Sequence, residues 1–226
     1  KIGIACNHFP QHKDFKKTNV KYSVLIEPYY FMPFFDKLVK KRKVEANFSF
    51  NPISFHYRKL IKSNLNIKFF VNLSNYFFLS GKNVHFLYRT ILFNKTKADR
   101  TLCEKFNCDA GVLKRSISLA VYLGFKEIYL VGCDYLFYPR QSGHWYEYGQ
   151  PIVSYKYDKE YIDAFIDELK KKKIVFNLLT PHKIKSNINT ITYFELFGFQ
   201  PKYKENKEIL EKETLITFSK QKTMNL

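Results

Sequence analysis

The chain has 226 residues, of which 46% are hydrophobic, with 23 Phe and 17 Tyr, so it carries enough apolar mass for a folded core and is not a disordered polymer. No apolar stretch reaches the roughly 18 residues of a membrane helix, and no signal peptide is visible, which predicts a cytoplasmic protein. The formal charge of +18 suits nucleic acid, an anionic membrane surface or an anionic substrate. Lys1 is not a Met, so the sequence is expected to begin inside a longer or processed chain.

Lys1-Ile2-Gly3-Ile4-Ala5 predicts a first strand that runs into a loop at Asn7-His8-Phe9-Pro10. Tyr22-Ser23-Val24-Leu25-Ile26 predicts a second strand, stopped at Glu27-Pro28 because the residue before proline is biased away from helix. A helix is expected over 33–41, and buried strands over 67–71 and 84–88. The stretches 72–80 and 90–107 give no clear pattern.

From Asp109 the signal sharpens. Leu113, Ile117, Ala120, Val121 and Gly124 follow helical spacing, with Lys114, Arg115 and Ser118 expected on the opposite face. Gly124 predicts the end of that helix, and 127–131 a central, buried parallel strand closed by Gly132-Cys133-Asp134. A long loop over 135–155 follows. Tyr161, Ile162, Phe165, Ile166 and Leu169 mark the next amphipathic helix, which the run Lys170-Lys171-Lys172-Lys173 closes, where cations suit the helix dipole. A strand over 174–179 stops at Thr180-Pro181, and a last helix is expected over 205–213. Alternating strands and helices imply an α/β fold, a mostly parallel Rossmann-like sheet with helices on both faces. Residues 1–200 form the expected α/β catalytic domain and 201–226 a charged tail.

Four cysteines form no Cys-x-x-Cys pair, so free thiols rather than a zinc site are expected. Ligands of open parallel sheets collect beyond the carboxyl ends of the strands. That rule selects Asn7 and His8, Glu27, Asp134, Thr180 with His182, and the helix entrance at Asp109-Ala110-Gly111, where backbone N–H groups can hold a phosphate. The same positions have plainer uses, Asp109 as an N-cap and Asp134 as a hydrogen-bond acceptor at a strand end.

The block from Asp109-Ala110-Gly111-Val112 through Leu123-Gly124-Phe125-Lys126 and Tyr129-Leu130-Val131-Gly132-Cys133-Asp134 resembles the core of the MptE-like (6-hydroxymethylpterin diphosphokinase-like) family of bacterial surface-polysaccharide proteins. It is also similar to the matching segment of the glycosyltransferase family 42 sialyltransferases. The resemblance implies a GT-A-like fold of the sialyltransferase type and a donor sugar activated by CMP, transferred with inversion and without metal or other cofactor. It places Asn7 in the nucleotide loop, Ala110 and Gly111 at the helix entrance, and Asp134 at the Gly-x-Asp position, with Glu27 added by the strand-end rule. Two positions depart from that pattern: His8-Phe9-Pro10 replaces Gly-Pro-Ser, and Tyr157-Asp158 stands where the family histidine is expected.

The loop 135–155 gathers Tyr135, Tyr138, Arg140, His144, Trp145, Tyr146 and Tyr148 between Gly143 and Gly149. Arg140 can form a bidentate contact with phosphate or carboxylate, and the aromatics can stack on a base or a sugar. A lid packed by its own rings accounts for most of the same residues. His144 is either a general base or part of that packing. With Tyr138 and Arg140 it forms the expected catalytic set.

The expected partners are a CMP-sugar donor and a glycan or glycolipid acceptor of capsule or lipopolysaccharide, with peripheral contact to an anionic inner membrane. The absence of an Asp-x-Asp pair and of Walker and dinucleotide glycine motifs leaves metal-bridged transfer and Walker-type kinase chemistry without support. A pterin or nucleotide pyrophosphokinase is the enzymatic alternative. A nucleic-acid-binding module is the non-catalytic one, and no recognition-helix, RRM or KH signature supports it.

Overall fold

The structure, a computed structural model, describes residues 1–27, 31, 52–87, 112–133, 166–181, 183 and 188–200. The described residues fall into two compact units, one within Lys1–Leu119 and the other within Ala120–Ile209. Both are built on parallel strands, so the chain is α/β.

In the first unit β1 (Gly3–Cys6), β2 (Val20–Leu25), β3 (Lys68–Asn72) and β4 (Val84–Leu87) lie side by side in chain order. Every neighbouring pair is parallel, with Cys6 beside Val24, Leu25 beside Val71, and Val71 beside Phe86. Alternation along the strands supplies two apolar faces. Ala5, Leu25, Phe69 and Val71 face one way and pack against Tyr57 and Ile61 of α1 (Pro52–Ser63). Ile4, Val24 and Phe70 belong to a second cluster with Val112 and Leu119 of α2 (Val112–Tyr122). Helices thus cover both faces of this sheet. Each large apolar side chain buried between these layers stabilises the fold by about 1.5–3 kcal/mol.

Helix α1 opens on Pro52, where a missing N–H leaves no helical bond unmade. It buries Tyr57 and Ile61, one turn apart, while Phe55 on another face is 59% exposed. Helix α2 differs from the amphipathic expectation. Arg115 and Ser118, expected on a polar outer face, are buried along with Ile117 and Leu119, so this stretch is enclosed all round. Small hydroxyl residues make that enclosure tolerable, because the Ser116 hydroxyl donates to the Val112 carbonyl one turn back at 2.9 Å.

The second unit holds β5 (Glu127–Val131), β6 (Val175–Thr180) and β7 (Asn189–Thr192), again all parallel, with α3 over 166–171 and α4 (Tyr193–Phe197). Strand β5 has the expected bounds but not the expected central place. The order is β5-β6-β7, so β6 is the middle strand among the described residues and β5 lies at one end, with Val131 60% exposed. Strand β6 accordingly carries the continuous buried run, Asn177, Leu178, Leu179 and Thr180.

The predicted helix ends are built as hydrogen-bonded caps. Gly124 takes φ +86, its N–H donates to the Val121 carbonyl, and Phe125 donates to Ala120. That double bond pattern satisfies carbonyls the helix would otherwise leave open. Helix α3 ends the same way with a lysine in the glycine position: Lys173 has φ +56, donates to Lys170, and Ile174 donates to Leu169. Helix α4 starts with a capping box between Thr192 and Glu195. Among the described residues no helix is long and apolar enough to cross a membrane.

Candidate functional site

The carboxyl ends of β1, β2 and β3 form one polar edge. Beyond Cys6 the chain turns sharply. Asn7 has φ +48, a left-handed conformation that asparagine tolerates better than other side chains with a Cβ. Its N–H still bonds the Val24 carbonyl at 3.1 Å, so the turn is continuous with the sheet. The Asn7 side-chain oxygen is buried and has no hydrogen-bond partner. A buried acceptor in that state costs about 1–3 kcal/mol, which a donor on a bound ligand would recover.

The loop after Asn7 is a short 3-10 turn, Phe9–Gln11, with Pro10 buried and the Gln11 N–H donating to the His8 carbonyl at 2.9 Å. This is the local structure that His8-Phe9-Pro10 builds in place of a glycine-containing loop. His8 is buried, and its Nδ1 lies 3.2 Å from the Tyr57 hydroxyl. The Tyr57 hydroxyl donates its single hydrogen to the Asn7 carbonyl at 2.5 Å. Nδ1 must therefore supply the hydrogen in the His8–Tyr57 contact, which leaves Nε2 of a neutral His8 as an acceptor.

Cys6 ties this edge to α2. Its Sγ lies 3.1 Å from the Ser116 Oγ. Since Ser116 donates to Val112, the thiol donates to Ser116. Burial pushes the Cys6 thiol pKa up, and the bond with Ser116 offsets only part of that rise. Cys6 is a neutral structural thiol here, not a nucleophile.

Glu27 stands two residues beyond β2, half-buried, with its carbonyl accepting from the Asn75 side chain at 3.2 Å. Asn72, the last residue of β3, donates in the same manner to the Ile26 carbonyl at 3.0 Å. Two buried asparagines thus hold the carboxyl end of β2 against the turn after β3. Sequence reasoning left 72–80 unassigned and missed both.

Of the residues selected from the sequence, Asn7, His8 and Glu27 therefore lie on one edge of one sheet. Thr180 ends β6 in the second unit and is buried. Ala110, Gly111, Asp134, Tyr138, Arg140, His144 and His182 lie outside the described residues, as do the helices expected over 33–41 and 205–213 and the loop 135–155. Comparison with models of known protein families, with curated proteins and with solved structures finds no match to this chain.

Proposed function

We propose that the chain is a glycosyltransferase that moves an acidic sugar, of the sialic-acid or Kdo type, from a CMP-activated donor to a capsule or lipopolysaccharide acceptor, with inversion and without metal. Asn7 is the observation that carries this reading. A left-handed asparagine with an unsatisfied buried oxygen, at the carboxyl end of the first parallel strand, is a recognition group for a ligand that brings a donor, such as a ribose hydroxyl or a base amine. The high positive charge suits an anionic donor. Glu27 shares the edge. Ala110 and Gly111 cradle the donor phosphate through backbone N–H groups, and Asp134 completes the nucleotide set.

In the reaction an acceptor hydroxyl oxygen attacks the anomeric carbon as the bond from that carbon to the CMP phosphate oxygen breaks. His144 takes the hydroxyl proton, while Tyr138 and Arg140 steady the charge left on the phosphate. One observation favours a second choice of base: His8 follows Asn7 on the same sheet edge, with its Nδ1 held 3.2 Å from the Tyr57 hydroxyl.

Melting temperature with CMP, UDP, GDP and ATP tests the donor class, since a ligand that binds only the folded state raises it. CMP should give the largest rise in the presence of EDTA. ATP stabilising only with Mg²⁺, with no effect of CMP, would replace the transferase by a pyrophosphokinase. With an acceptor in hand, His144→Ala should lower turnover by about 10²–10⁴-fold and leave CMP affinity nearly intact. Turnover retained in His144→Ala and lost in His8→Ala would move the base to His8.

A further inference from the structure

The turn that joins β3 to β4 holds aromatic rings out in solvent. Phe77 is 87% exposed and Tyr76 58% exposed. The frame behind them is rigid. Tyr76 donates to the Leu73 carbonyl at 2.9 Å, Phe78 to Asn75 at 2.9 Å, and Leu79 to Asn75 at 3.0 Å. Asn75 is fully buried, accepts from the Phe31 N–H at 3.0 Å and donates to the carbonyls of Glu27 and Asn72. Arg58 of α1 closes the frame by donating to the carbonyls of Phe78 and Phe31. Leu79 is buried and Phe78 packs on the core, so the outward direction of Tyr76 and Phe77 is set by the fold. The Tyr76 ring also meets Phe77 and Phe86 edge-on, with centroids 5.5 and 5.2 Å away.

The segment that carries these rings is cationic. Residues 52–87 contain five cations, Arg58, Lys59, Lys62, Lys68 and Lys82, and no Asp or Glu. All four lysines are exposed. Lys62 and Arg58 line a cavity of about 240 Å³ together with Tyr76, Phe77 and Ser80, so cation and ring share one recess.

We propose that this face docks on an anionic lipid bilayer, with Phe77 and Tyr76 entering the interfacial layer and Lys62 meeting headgroup phosphates. Aromatic rings favour the boundary between headgroups and acyl chains, and cations near an anionic leaflet are drawn to its surface potential. Rings already fixed in an outward position lose little further freedom on insertion. The composition also favours lipid over a protein partner, because protein interfaces are depleted in lysine and match a protruding ring with a formed pocket. The inference gives the expected contact with an anionic membrane a defined surface, and its measurement is separate from the one that tests CMP binding.

The full chain is floated with vesicles of phosphatidylcholine alone and of phosphatidylcholine mixed with phosphatidylglycerol. Binding to the mixed vesicles only, and release by added salt, are the expected results. Phe77→Ser combined with Tyr76→Ser should lower the bound fraction by roughly tenfold or more, the factor that withdrawing a large ring from an apolar phase produces. Both positions are exposed, and an unchanged melting temperature establishes that the variant is folded. Phe77→Trp reads the site directly: its emission should shift to the blue with mixed vesicles beyond any change in the wild type, whose single tryptophan is Trp145. Equal binding by the double Ser variant, or no added shift in Phe77→Trp, overturns the proposal. A single-stranded oligonucleotide that competes the vesicles off and loses affinity on the same substitutions also overturns it, in favour of nucleic acid.

Discussion

The hydroxyl of Tyr57 donates to the carbonyl of Asn7, and that bond fixes the tautomer of His8 beside it. The three residues come from β1's exit and from the middle of α1, so the helix sets the protonation pattern at the sheet edge. Replacing Tyr57 by Phe leaves the Asn7 carbonyl and the His8 Nδ1 hydrogen without this partner in a buried setting. Tyr57→Phe should cost about 1–3 kcal/mol in chemical denaturation. Nitrogen NMR of His8 in the wild type should show the hydrogen on Nδ1, and in Tyr57→Phe a mixture of tautomers. A wild-type His8 protonated on Nε2 alone would contradict the arrangement.

Cys6 links stability to alkaline pH. Its thiol pKa is raised in the folded chain by burial. For such a group the stabilising contribution is complete below the unfolded thiol pKa, about 8.5. It is lost as pH rises from there through the higher folded value, because the unfolded chain releases the proton first. Unfolding free energy should therefore fall with pH above about 8.5, and part of that fall should be absent in Cys6→Ala. Alkylation mapped by mass spectrometry at mildly alkaline pH should modify a free cysteine peptide added to the same sample before Cys6, whose raised pKa keeps the thiolate scarce. Cys6 reacting first would show that its thiol is not held neutral.

Lys173 occupies a left-handed helix cap without being glycine. The run of four lysines reads from the sequence as a favourable charge at a helix end, and it does close α3, but its last member also carries backbone strain. Lys173→Gly relieves a conformation that costs a residue with a Cβ about 1–2 kcal/mol, offset in part by the greater freedom of glycine in the unfolded chain. The variant should melt higher than wild type by the equivalent of about 0.5–1 kcal/mol. A lower melting temperature would mean that the lysine side chain supplies more at this cap than its backbone costs.

Strand bounds were legible wherever apolar runs were bracketed by breakers: 127–131 matches β5 residue for residue, and the four strands of the first unit shift by only one or two positions. Strand order was not. An apolar run reports that a strand is buried and says nothing of its neighbours, so the sequence puts β5 at the centre, whereas among the described residues β6 is the middle strand. Helix α1 gives no clear sequence pattern because Phe55 lies exposed beside the buried Tyr57 and Ile61, which blurs the helical period. Arg115 and Ser118 misled in the opposite sense, since polar type predicted an outer face that the fold encloses. The roles of Asn72 and Asn75 depend on the carbonyls of Ile26 and Glu27, which come close only in the folded chain. The place of Asn7 after a strand and the family resemblance both point to it in the sequence; its unsatisfied oxygen is a property of the folded chain alone.

Calorimetric titration of CMP into the wild type and Asn7→Gly, both in EDTA, tests the proposed nucleotide site most directly. Glycine keeps the left-handed backbone without strain and removes the unsatisfied side-chain oxygen. The wild type is expected to bind CMP without metal, Asn7→Gly to bind it roughly 3–10-fold more weakly, the worth of one hydrogen bond, and the variant to melt no lower than the wild type. A wild type that does not bind CMP, or an Asn7→Gly variant that binds it equally well and melts lower, would contradict the site and make Asn7 a structural residue.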